Sequence, residues 1–534
     1  MINTTGREAI FRHLDGIVMV PIAAILNKKE ILKHLLKVKE VSLASITETF
    51  KANEGYLNVA LRALASQGFL KYKVDNVTNE VTVAVNEYSD YAFSQFYLYD
   101  DISRLLFNTD VFTANTITTA SINLLQPVFE KYNNQSRLVS ESDAVKSRIQ
   151  YQILKHIEGY LAAPLIVNLG MTGMFHKYFM ETSFSADEFH KEPEAFTQML
   201  DFFTALGWFT ERNGKYQFTD EGLFFAKRAS AYGVTVSYLP MLKNIEALLF
   251  GNPNAMRDIA VNEAEIHVNR EMNVWGSGGA HSTYFKVIDE IIIELFNKPI
   301  AEQPKGILDM GCGNGAFLHH IFDVIERQTV RGKMLEEHPL FLVGADYNQV
   351  ALKVTRANLI KADIWAKVVW GDIGNPDLLA QDLADNYKID LKDLLNVRTF
   401  LDHNRIWSTP ENLHGIESQS TGAFAYRGAR LSNNEVEANL YEHFQKWSPY
   451  VKRFGLLLIE LHTVDTKMTA EHIGKTPATA YDVTHGLSDQ YILEIDAFVK
   501  VAQLAGLHSE QRYFQRFPHT DYATVSIHLL KGEN

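Results

Sequence analysis

The chain has 534 residues, enough for three or four structural units at roughly 150 residues per domain. Hydrophobic residues make up 46% and charged residues 22%, as in ordinary globular proteins, and the net charge of −13 argues against non-specific nucleic-acid binding. The sequence has no run of 18 apolar residues and no signal-peptide pattern, so we expect neither a membrane span nor secretion. The single cysteine, Cys312, cannot form an internal disulfide, which favours a reducing cytoplasm.

The first half of the chain carries a weak internal repeat. Each copy has a helical pattern that stops at a glycine (Gly68 and Gly207), then two apolar residues and a short hairpin. The hairpins are expected near residues 74–85 and at residues 213–214. This order is typical of a winged helix. The sequence predicts a winged-helix-like unit, a helical connector and a second winged-helix-like unit, at residues 1–90, 91–160 and 161–265.

The helices that would read DNA in such units lack the residues for it. Segment 193–207 contains no Lys or Arg, and segment 55–70 contains only Arg62. A recognition helix needs basic or amide side chains to reach phosphates and base edges. We therefore expect these units to mediate dimerisation or to form a lid, with no role in nucleic-acid binding.

A glycine-rich stretch at residues 273–285 follows the second unit. Gly276, Gly278 and Gly279 predict an open turn ahead of a helix at residues 282–296. A plain linker with a helix cap is the alternative. If the turn closes over a ligand, the side chains that would contact substrate are Trp275, Ser277, His281 and Tyr284.

The most informative stretch is residues 306–317, where an apolar strand ends at Asp309 and a turn with Gly311, Gly313 and Gly315 leads into a helix. Glycines at such a turn let the backbone approach a ligand that a Cβ would exclude. The pattern Asp-x-Gly-x-Gly-x-Gly resembles motif I of class I S-adenosylmethionine (SAM) methyltransferases. The resemblance implies SAM as cofactor and an α/β fold, a Rossmann-like doubly wound sheet over residues 266–534.

The next two strand ends support this interpretation. A buried strand ends at Asp346-Tyr347, where an acid can accept both ribose hydroxyls, and a helix is expected at residues 349–362. The third strand ends at Asp372-Ile373, where the family carries an acid that meets adenine. About 37 positions separate Asp309 from Asp346, against roughly 20 in the usual unit, because residues 326–338 form an insertion. The predicted cofactor-binding residues are Asp309, Gly311, Gly313, Asp346, Tyr347, Asp372, Ile373 and Asn396.

The last third of the chain holds the catalytic candidates. Residues 392–405 predict the fourth strand and its exit, which carries His403 between Arg398 and Arg405, two candidate substrate contacts. A fifth strand is expected over residues 455–462, with Glu460 toward its end. His485 is then expected on a polar, glycine-containing turn that follows this strand.

The segments 481–491 and 396–403 sharpen the family resemblance. They are similar to the metal-dependent carbon-methyltransferase domains that begin some polyketide assembly lines. In that family a His and a Gln five residues later bind a divalent metal, which implies His485 and Gln490 as ligands for Mn²⁺ or Fe²⁺. The sequence has no carrier-protein signature, so an acyl carrier protein would act in trans.

The resemblance implies metal-assisted C-methylation of a malonyl-type acyl-carrier thioester, with His403, Glu460 and His485 as catalytic candidates. Either His403 or Glu460 is the expected base. The alternative is metal-free O-methylation of a small-molecule hydroxyl with His403 as base, since the two winged helices also resemble the dimerisation region of small-molecule O-methyltransferases. A SAM-responsive winged-helix regulator is the non-enzymatic alternative. The expected oligomer is a homodimer or a monomer.

Overall fold

The computed structural model describes residues 4–108, 118–136, 143–257 and 265–532. The α-helices in chain order are α1 Thr4–Lys28, α2 Ile31–Val38, α3 Leu43–Phe50, α4 Glu54–Ser66, α5 Ser89–Gln95, α6 Tyr97–Asn108, α7 Thr119–Ser136, α8 Ala144–Met171, α9 Lys177–Glu181, α10 Pro193–Ala205, α11 Asp220–Ala226, α12 Ser230–Ser237, α13 Leu239–Lys243, α14 Ile245–Phe250, α15 Arg270–Phe296, α16 Ala316–Gln328, α17 Gln349–Lys361, α18 Pro376–Tyr387, α19 Asn433–Val451, α20 Thr466–Glu471, α21 Ala478–Gly486 and α22 Ile495–Leu504. The strands are β1 Glu40–Ser42, β2 Lys71–Asp75, β3 Glu80–Ala84, β4 Phe209–Arg212, β5 Lys215–Phe218, β6 Gly306–Met310, β7 Phe341–Asp346, β8 Lys367–Trp370, β9 Leu394–Thr399, β10 Phe424–Tyr426, β11 Ala429–Leu431, β12 Leu456–Leu461, β13 Leu507–Ser509, β14 Gln515–Phe517 and β15 Val525–Gly532.

The chain divides into two units. The first comprises Met1–Ala280, Ala425–Arg430 and Asp465–Ser488, and the second comprises His281–Phe424, Leu431–Val464 and Asp489–Asn534. The second unit therefore contains most of the predicted methyltransferase domain. The finer division of the first half into two winged helices and a connector stays a prediction.

Two long helices, α1 and α8, pack along each other in the first unit. A Cβ on Gly16 would lie 2.2 Å from the carbonyl oxygen of His156, and a Cβ on Gly159 would lie 2.2 Å from the Cα of His13. Only glycine allows the two backbones to approach so closely. Within the described residues, α1 alone is long and apolar enough by composition to cross a membrane, and 83% of its apolar window is buried inside the protein.

Both hairpins that the sequence predicted after a helix form in the first unit. Helix α4 is followed by the β2–β3 hairpin, which β1 extends to a three-stranded sheet in the order β1-β3-β2. Helix α10 is followed by the β4–β5 hairpin, whose turn residues Asn213 and Gly214 both have positive φ, 55° and 76°. An Asn-Gly pair with this backbone matches the right-handed twist of a two-residue hairpin.

The turn predicted at Gly276 is wrong, because helix α15 runs without interruption through it. The glycine instead serves a helix crossing inside the first unit. A Cβ on Gly276 would lie 2.6 Å from the backbone nitrogen of Val234 and 2.7 Å from the Cα of Gly233, both in α12. Glycines that permit close helix contact and glycines that permit a turn look alike in a sequence.

The second unit contains a mixed sheet in the order β13-β15-β12-β9-β6-β7-β8, with β14 also paired to β15. Strands β12, β9, β6, β7 and β8 are parallel, and β15 is antiparallel to its neighbours. Helices α16 and α17 pack together on β6 to β8, whereas α19 packs with α18, α22, β9 and β15. The central strand β6 is flanked by β7 and β9, so the strand order reverses there. Ligands of doubly wound sheets bind at the carboxyl end of that switch point.

Candidate active site

The turn after β6 is built as the sequence predicted. Gly311, Gly313 and Gly315 all have positive φ, between 54° and 79°, and α16 begins directly after them. A Cβ on Gly311 would lie 2.9 Å from the side chain of Leu401. Side chains at these positions would strain the backbone, and the first would also fill the turn.

Asp309 lies in β6 just ahead of this turn and is 2% exposed. One carboxylate oxygen, Oδ2, has no hydrogen-bond partner. Burial, together with repulsion from the nearby Asp346, raises the pKa of Asp309 to about 8. A buried acid with an unpaired oxygen beside an open glycine turn suits a cationic group, and SAM carries an ammonium on its methionine end.

Asp346 closes β7 and faces the same turn. Its Oδ2 accepts a hydrogen bond from the Gly313 backbone N–H at 3.0 Å, and its Oδ1 accepts one from Asn348 at 2.8 Å. The next residue, Tyr347, is 59% exposed, and its ring lies 5.5 Å from that of Trp370 at the end of β8. An acid and an exposed aromatic ring at this strand end fit a nucleoside, as the sequence predicted.

The remaining predicted cofactor residues differ in their surroundings. Asp372 accepts a hydrogen bond from the Gly374 backbone at 2.8 Å, and the carbonyl of the buried Ile373 accepts one from Trp447 Nε1 at 2.7 Å. Asn396 is fully buried inside β9, three residues before the strand ends at Thr399. Contact of these three residues with the cofactor stays a prediction.

His403 and Glu460 form a buried pair at the carboxyl ends of the neighbouring strands β9 and β12. His403 lies on a 3₁₀ turn, Asp402–Asn404, and its Nδ1 is 2.5 Å from Glu460 Oε1. Glu460 Oε2 also accepts the Asp402 backbone N–H at 2.9 Å, so one carboxylate holds both the ring and the turn. Since a carboxylate accepts at Nδ1, the proton resides there and Nε2 is the basic nitrogen. In this arrangement His403 has the geometry of a base and Glu460 that of a residue that orients it, and the catalytic roles of both stay predictions.

The two predicted substrate arginines are held inside the second unit. Arg398 is fully buried, donates to Asp402 Oδ1 at 2.6 Å and lies 3.9 Å above the Trp447 ring. Arg405 donates to Asn439 Oδ1 at 2.6 Å and to the carbonyl of Asp402 at 2.9 Å. Both side chains therefore have structural partners, and contact with a substrate stays a prediction.

His443 and Trp447, both on α19, belong to this region but were not predicted. His443 Nε2 donates to Asp402 Oδ1 at 2.9 Å. Burial opposes ionisation of Asp402, yet Arg398 and His443 together hold the pKa of Asp402 well below its usual value. Burial lowers the pKa of His443 to about 4, so this imidazole is neutral at pH 7. Asp402 is thus a buried carboxylate with one cationic and one neutral donor.

The prediction that His485 lies on a turn after the fifth strand is wrong. Helices α20 and α21 follow β12, and His485 occupies the last turn of α21, because residues 478–486 all accept a helical backbone. The imidazole Nδ1 donates to the Tyr481 carbonyl at 2.8 Å, and the side chain is 5% exposed. This tautomer leaves the lone pair on Nε2, as metal-ligating histidines require.

Gln490, the second predicted metal ligand, follows the turn that ends α21 and is 8% exposed. By the division of the chain, His485 belongs to the first unit and Gln490 to the second. Across the described ranges, no group of three or more His, Cys, Asp or Glu side chains is arranged to hold a metal ion. The imidazole of His485 and the amide oxygen of Gln490 are two donors, so oxygens of substrate or water would have to complete the coordination of a metal. Metal binding therefore stays a prediction.

The residues predicted to contact substrate from segment 273–285 are dispersed along α15. Trp275 packs in the first unit against Gly170 and Gly233, and Ser277 Oγ donates to the Val274 carbonyl at 3.2 Å. In the second unit the Tyr284 ring lies 5.9 Å from that of Phe400, the residue after β9. Tyr284 therefore lies beside a strand end of its own unit, and the side chain of His281 lies outside the described residues.

Comparison with known proteins identifies three matching family models. Residues 265–528 match the AprA MT2-like domain, residues 158–252 the AprA winged helix domain and residues 6–72 the AprA N-terminal domain. A search of curated proteins finds no match.

Three solved structures illustrate the similarity of fold. The mitomycin 7-O-methyltransferase MmcR is 10% identical, with 73% of this chain and 99% of that chain covered and a TM-score of 0.44. The CurJ carbon methyltransferase is 12% identical, with 77% and 99% covered and a TM-score of 0.33. The CMeT domain of the citrinin polyketide synthase is 10% identical, with 77% and 95% covered and a TM-score of 0.35. With the domain match at residues 265–528 and the strand-end acids described above, the chain is a SAM-dependent methyltransferase whose residues 265–528 are similar to the AprA MT2-like domain.

Proposed function

We propose that the protein methylates the α-carbon of a malonyl-type thioester presented by an acyl carrier protein, with His403 as the base. The observation that carries the proposal is the His403–Glu460 pair at the carboxyl ends of β9 and β12. Bound SAM supplies an electrophilic methyl group and leaves as a neutral thioether. The chain must then supply SAM binding, a base for the acceptor and a site that stabilises developing negative charge.

Asp309 and Asp346 are the residues that would hold SAM. The unpaired Oδ2 of Asp309 would accept the ammonium of the methionine end, and Asp346 would accept the ribose hydroxyls. The glycine turn between them lets the protein backbone approach the ligand closely. Because Asp309 lies in β6 and His403 follows the adjacent β9, a methyl donor on this turn and a base on the next strand lie side by side.

His403 would remove a proton from the acceptor carbon through Nε2, while Glu460 keeps Nδ1 protonated and stabilises the imidazolium that forms. The carbon electron pair then forms the new bond to the methyl group, and the proton on His403 leaves to solvent. A divalent metal held by His485 and Gln490 would act as a Lewis acid on the thioester and carboxylate oxygens and so acidify the α-carbon. The Nδ1–H···O bond to Tyr481 supports this role, since it presents Nε2 of His485 as the donor.

The rival function is O-methylation of a small-molecule hydroxyl without a metal. The His403–Glu460 pair also suits this reaction, because a phenol loses its proton more readily than an α-carbon and needs only a positioned base. The two reactions differ in the atom that receives the methyl group and in their need for His485 and Gln490.

The test is product analysis after incubation with SAM, Mn²⁺ and malonyl-carrier protein. We expect a product one methyl group heavier, with the methyl on carbon, and no turnover after EDTA treatment until Mn²⁺ or Fe²⁺ is restored. His485→Ala and Gln490→Ala should abolish turnover while SAM still binds, and Lys467→Ala, on the exposed part of the preceding helix, is the matched control. Full activity of the metal-free enzyme, with the methyl on oxygen and an inactive His403→Ala variant, would establish the rival function.

A further inference from the structure

The 3₁₀ turn that carries His403 is fixed from two directions. On one side Glu460 binds the His403 ring and the Asp402 backbone N–H. On the other side the carboxylate of Asp402 accepts Arg398 Nη1 at 2.6 Å and His443 Nε2 at 2.9 Å. We call Arg398, Asp402 and His443 the Asp402 cluster. Its three members come from β9, the turn itself and α19.

Stability alone does not account for this cluster. Arg398 and Asp402 are both fully buried, and Arg398 Nε, Arg398 Nη2 and Asp402 Oδ2 have no hydrogen-bond partner. Removing two charges from water costs more than their attraction returns unless every donor and acceptor is satisfied. Apolar residues of similar volume beside Trp447 would pack the same space without this cost. This buried ion pair lies next to His403, the proposed base, which suggests that it serves the reaction and not stability.

The cluster is also coupled to the pair that contains the base. Arg398 lies close enough to Glu460 for the attraction between the two charges to raise the pKa of the guanidinium, against the larger lowering effect of burial. The charge of Arg398 therefore acts on both Asp402 and Glu460. Besides Asp402, the charged and titratable groups around His403 come from β9, β12, α19, the turn and the segment after α21. They are Arg398, Glu460, His462, His443, Arg405 and Tyr491.

We propose that Arg398, Asp402 and His443 are positioning residues that hold the His403 turn in place and set the charge around the base. The proposal rests on the proposed role of His403 in proton removal. The Arg398–Asp402 ion pair keeps the net local charge near neutral, so that Glu460 remains the dominant charge acting on the imidazole. Removing one member of the ion pair should then shift the pH dependence of the reaction, in a direction set by the charge that remains.

The experiment compares three variants of the full chain in their pH–rate profiles. Asp402→Asn leaves the Arg398 charge unbalanced, which disfavours imidazolium, so the acid limb should move to lower pH by about one unit. Arg398→Met leaves the Asp402 charge unbalanced, so the limb should move to higher pH by a similar amount. The double variant removes both charges and should return the acid limb close to the parent position. Its kcat should fall, while its KM for SAM should change less.

Arg331→Met is the matched control, because Arg331, in the insertion of the same unit, is 4% exposed and donates to the His338 carbonyl and to Gln303 Oε1. It should lower thermal stability without moving the pH profile. Arg398→Gln replaces Arg398→Met if the latter does not fold, and NMR titration of the His403 ring supplies the same readout without turnover. Shifts of both single variants in one direction, or no shift beyond that of Arg331→Met, would overturn the proposal. If His403→Ala retains parent activity, the proposed function itself is wrong, whatever the cluster does.

Discussion

Replacement of Asp309 by Asn should raise the stability of the ligand-free protein and weaken SAM binding. Burial, helped by the charge of Asp346, raises the pKa of Asp309 from 3.8 to about 8. At pH 7 the folded protein therefore keeps this carboxyl protonated, whereas the unfolded chain ionises it freely. The stability contributed by the protonated acid is fully present below pH 3.8 and is lost as the pH rises toward 8.

The size of the effect follows from this shift. Each pKa unit corresponds to about 1.4 kcal/mol, so the raised pKa of Asp309 lowers the unfolding free energy at pH 7 by about 4 kcal/mol relative to its value at low pH. A water on the unpaired Oδ2 would relieve part of it, and we expect Asp309→Asn to gain about 2 kcal/mol in unfolding free energy at pH 7. The same change removes a hydrogen bond to a charged group of SAM, which should weaken binding by about 1.5–3 kcal/mol.

Two measurements test whether Asp309→Asn raises stability and weakens SAM binding. Denaturant unfolding of the ligand-free protein should show the stability gain of Asp309→Asn growing between pH 4 and pH 7. Calorimetry of SAM binding in two buffers with different ionisation enthalpies should show proton release by the parent protein, because Asp309 must ionise to meet the ammonium, and none by the variant. A variant that is less stable at pH 7, or that binds SAM as the parent does, would refute the assignment of Asp309.

Three further outcomes are expected. Asp346→Ala should weaken SAM binding by about 1.5–3 kcal/mol in calorimetry without abolishing folding, and unchanged affinity would contradict the assignment of the second strand end. Burial lowers the pKa values of His462 and His528 to about 3, so these two residues together should add about 3 kcal/mol per pH unit to the loss of stability below about pH 6.5, measured by urea unfolding; a flat profile between pH 5 and 7 would count against buried neutral histidines. The first unit should not retain duplex DNA at physiological salt in a gel-shift assay, because segment 193–207 has no Lys or Arg, and tight sequence-selective retention would contradict this reading.

The sequence predicted the sheet and the cofactor turn because their signals are local. Asp309 and its glycines lie within seven residues, and each apolar strand carries its acid at its own end, as at Asp346. His443 gave no such signal, since it lies on α19, 41 residues from Asp402, and only packing brings the two together. Gly276 gave a misleading signal, because the need for a small residue at a helix crossing is set by the partner helix.

The amino-terminal half also packs against segment 465–488 in the first unit. The predictions of dimerisation or lid formation did not include this role. Segment 465–488 follows strand β12 in sequence, yet it belongs to the first unit and carries His485 on α21. Arg62 of α4, which is 1% exposed, forms an ion pair with Asp482, and Gln67 Nε2 donates to Thr479 Oγ1 at 2.8 Å. The only basic residue of segment 55–70 is therefore used inside the protein and not for nucleic-acid binding, because it holds the helix that carries His485. If His485 binds a metal as proposed, α4 supports the helix that carries this ligand.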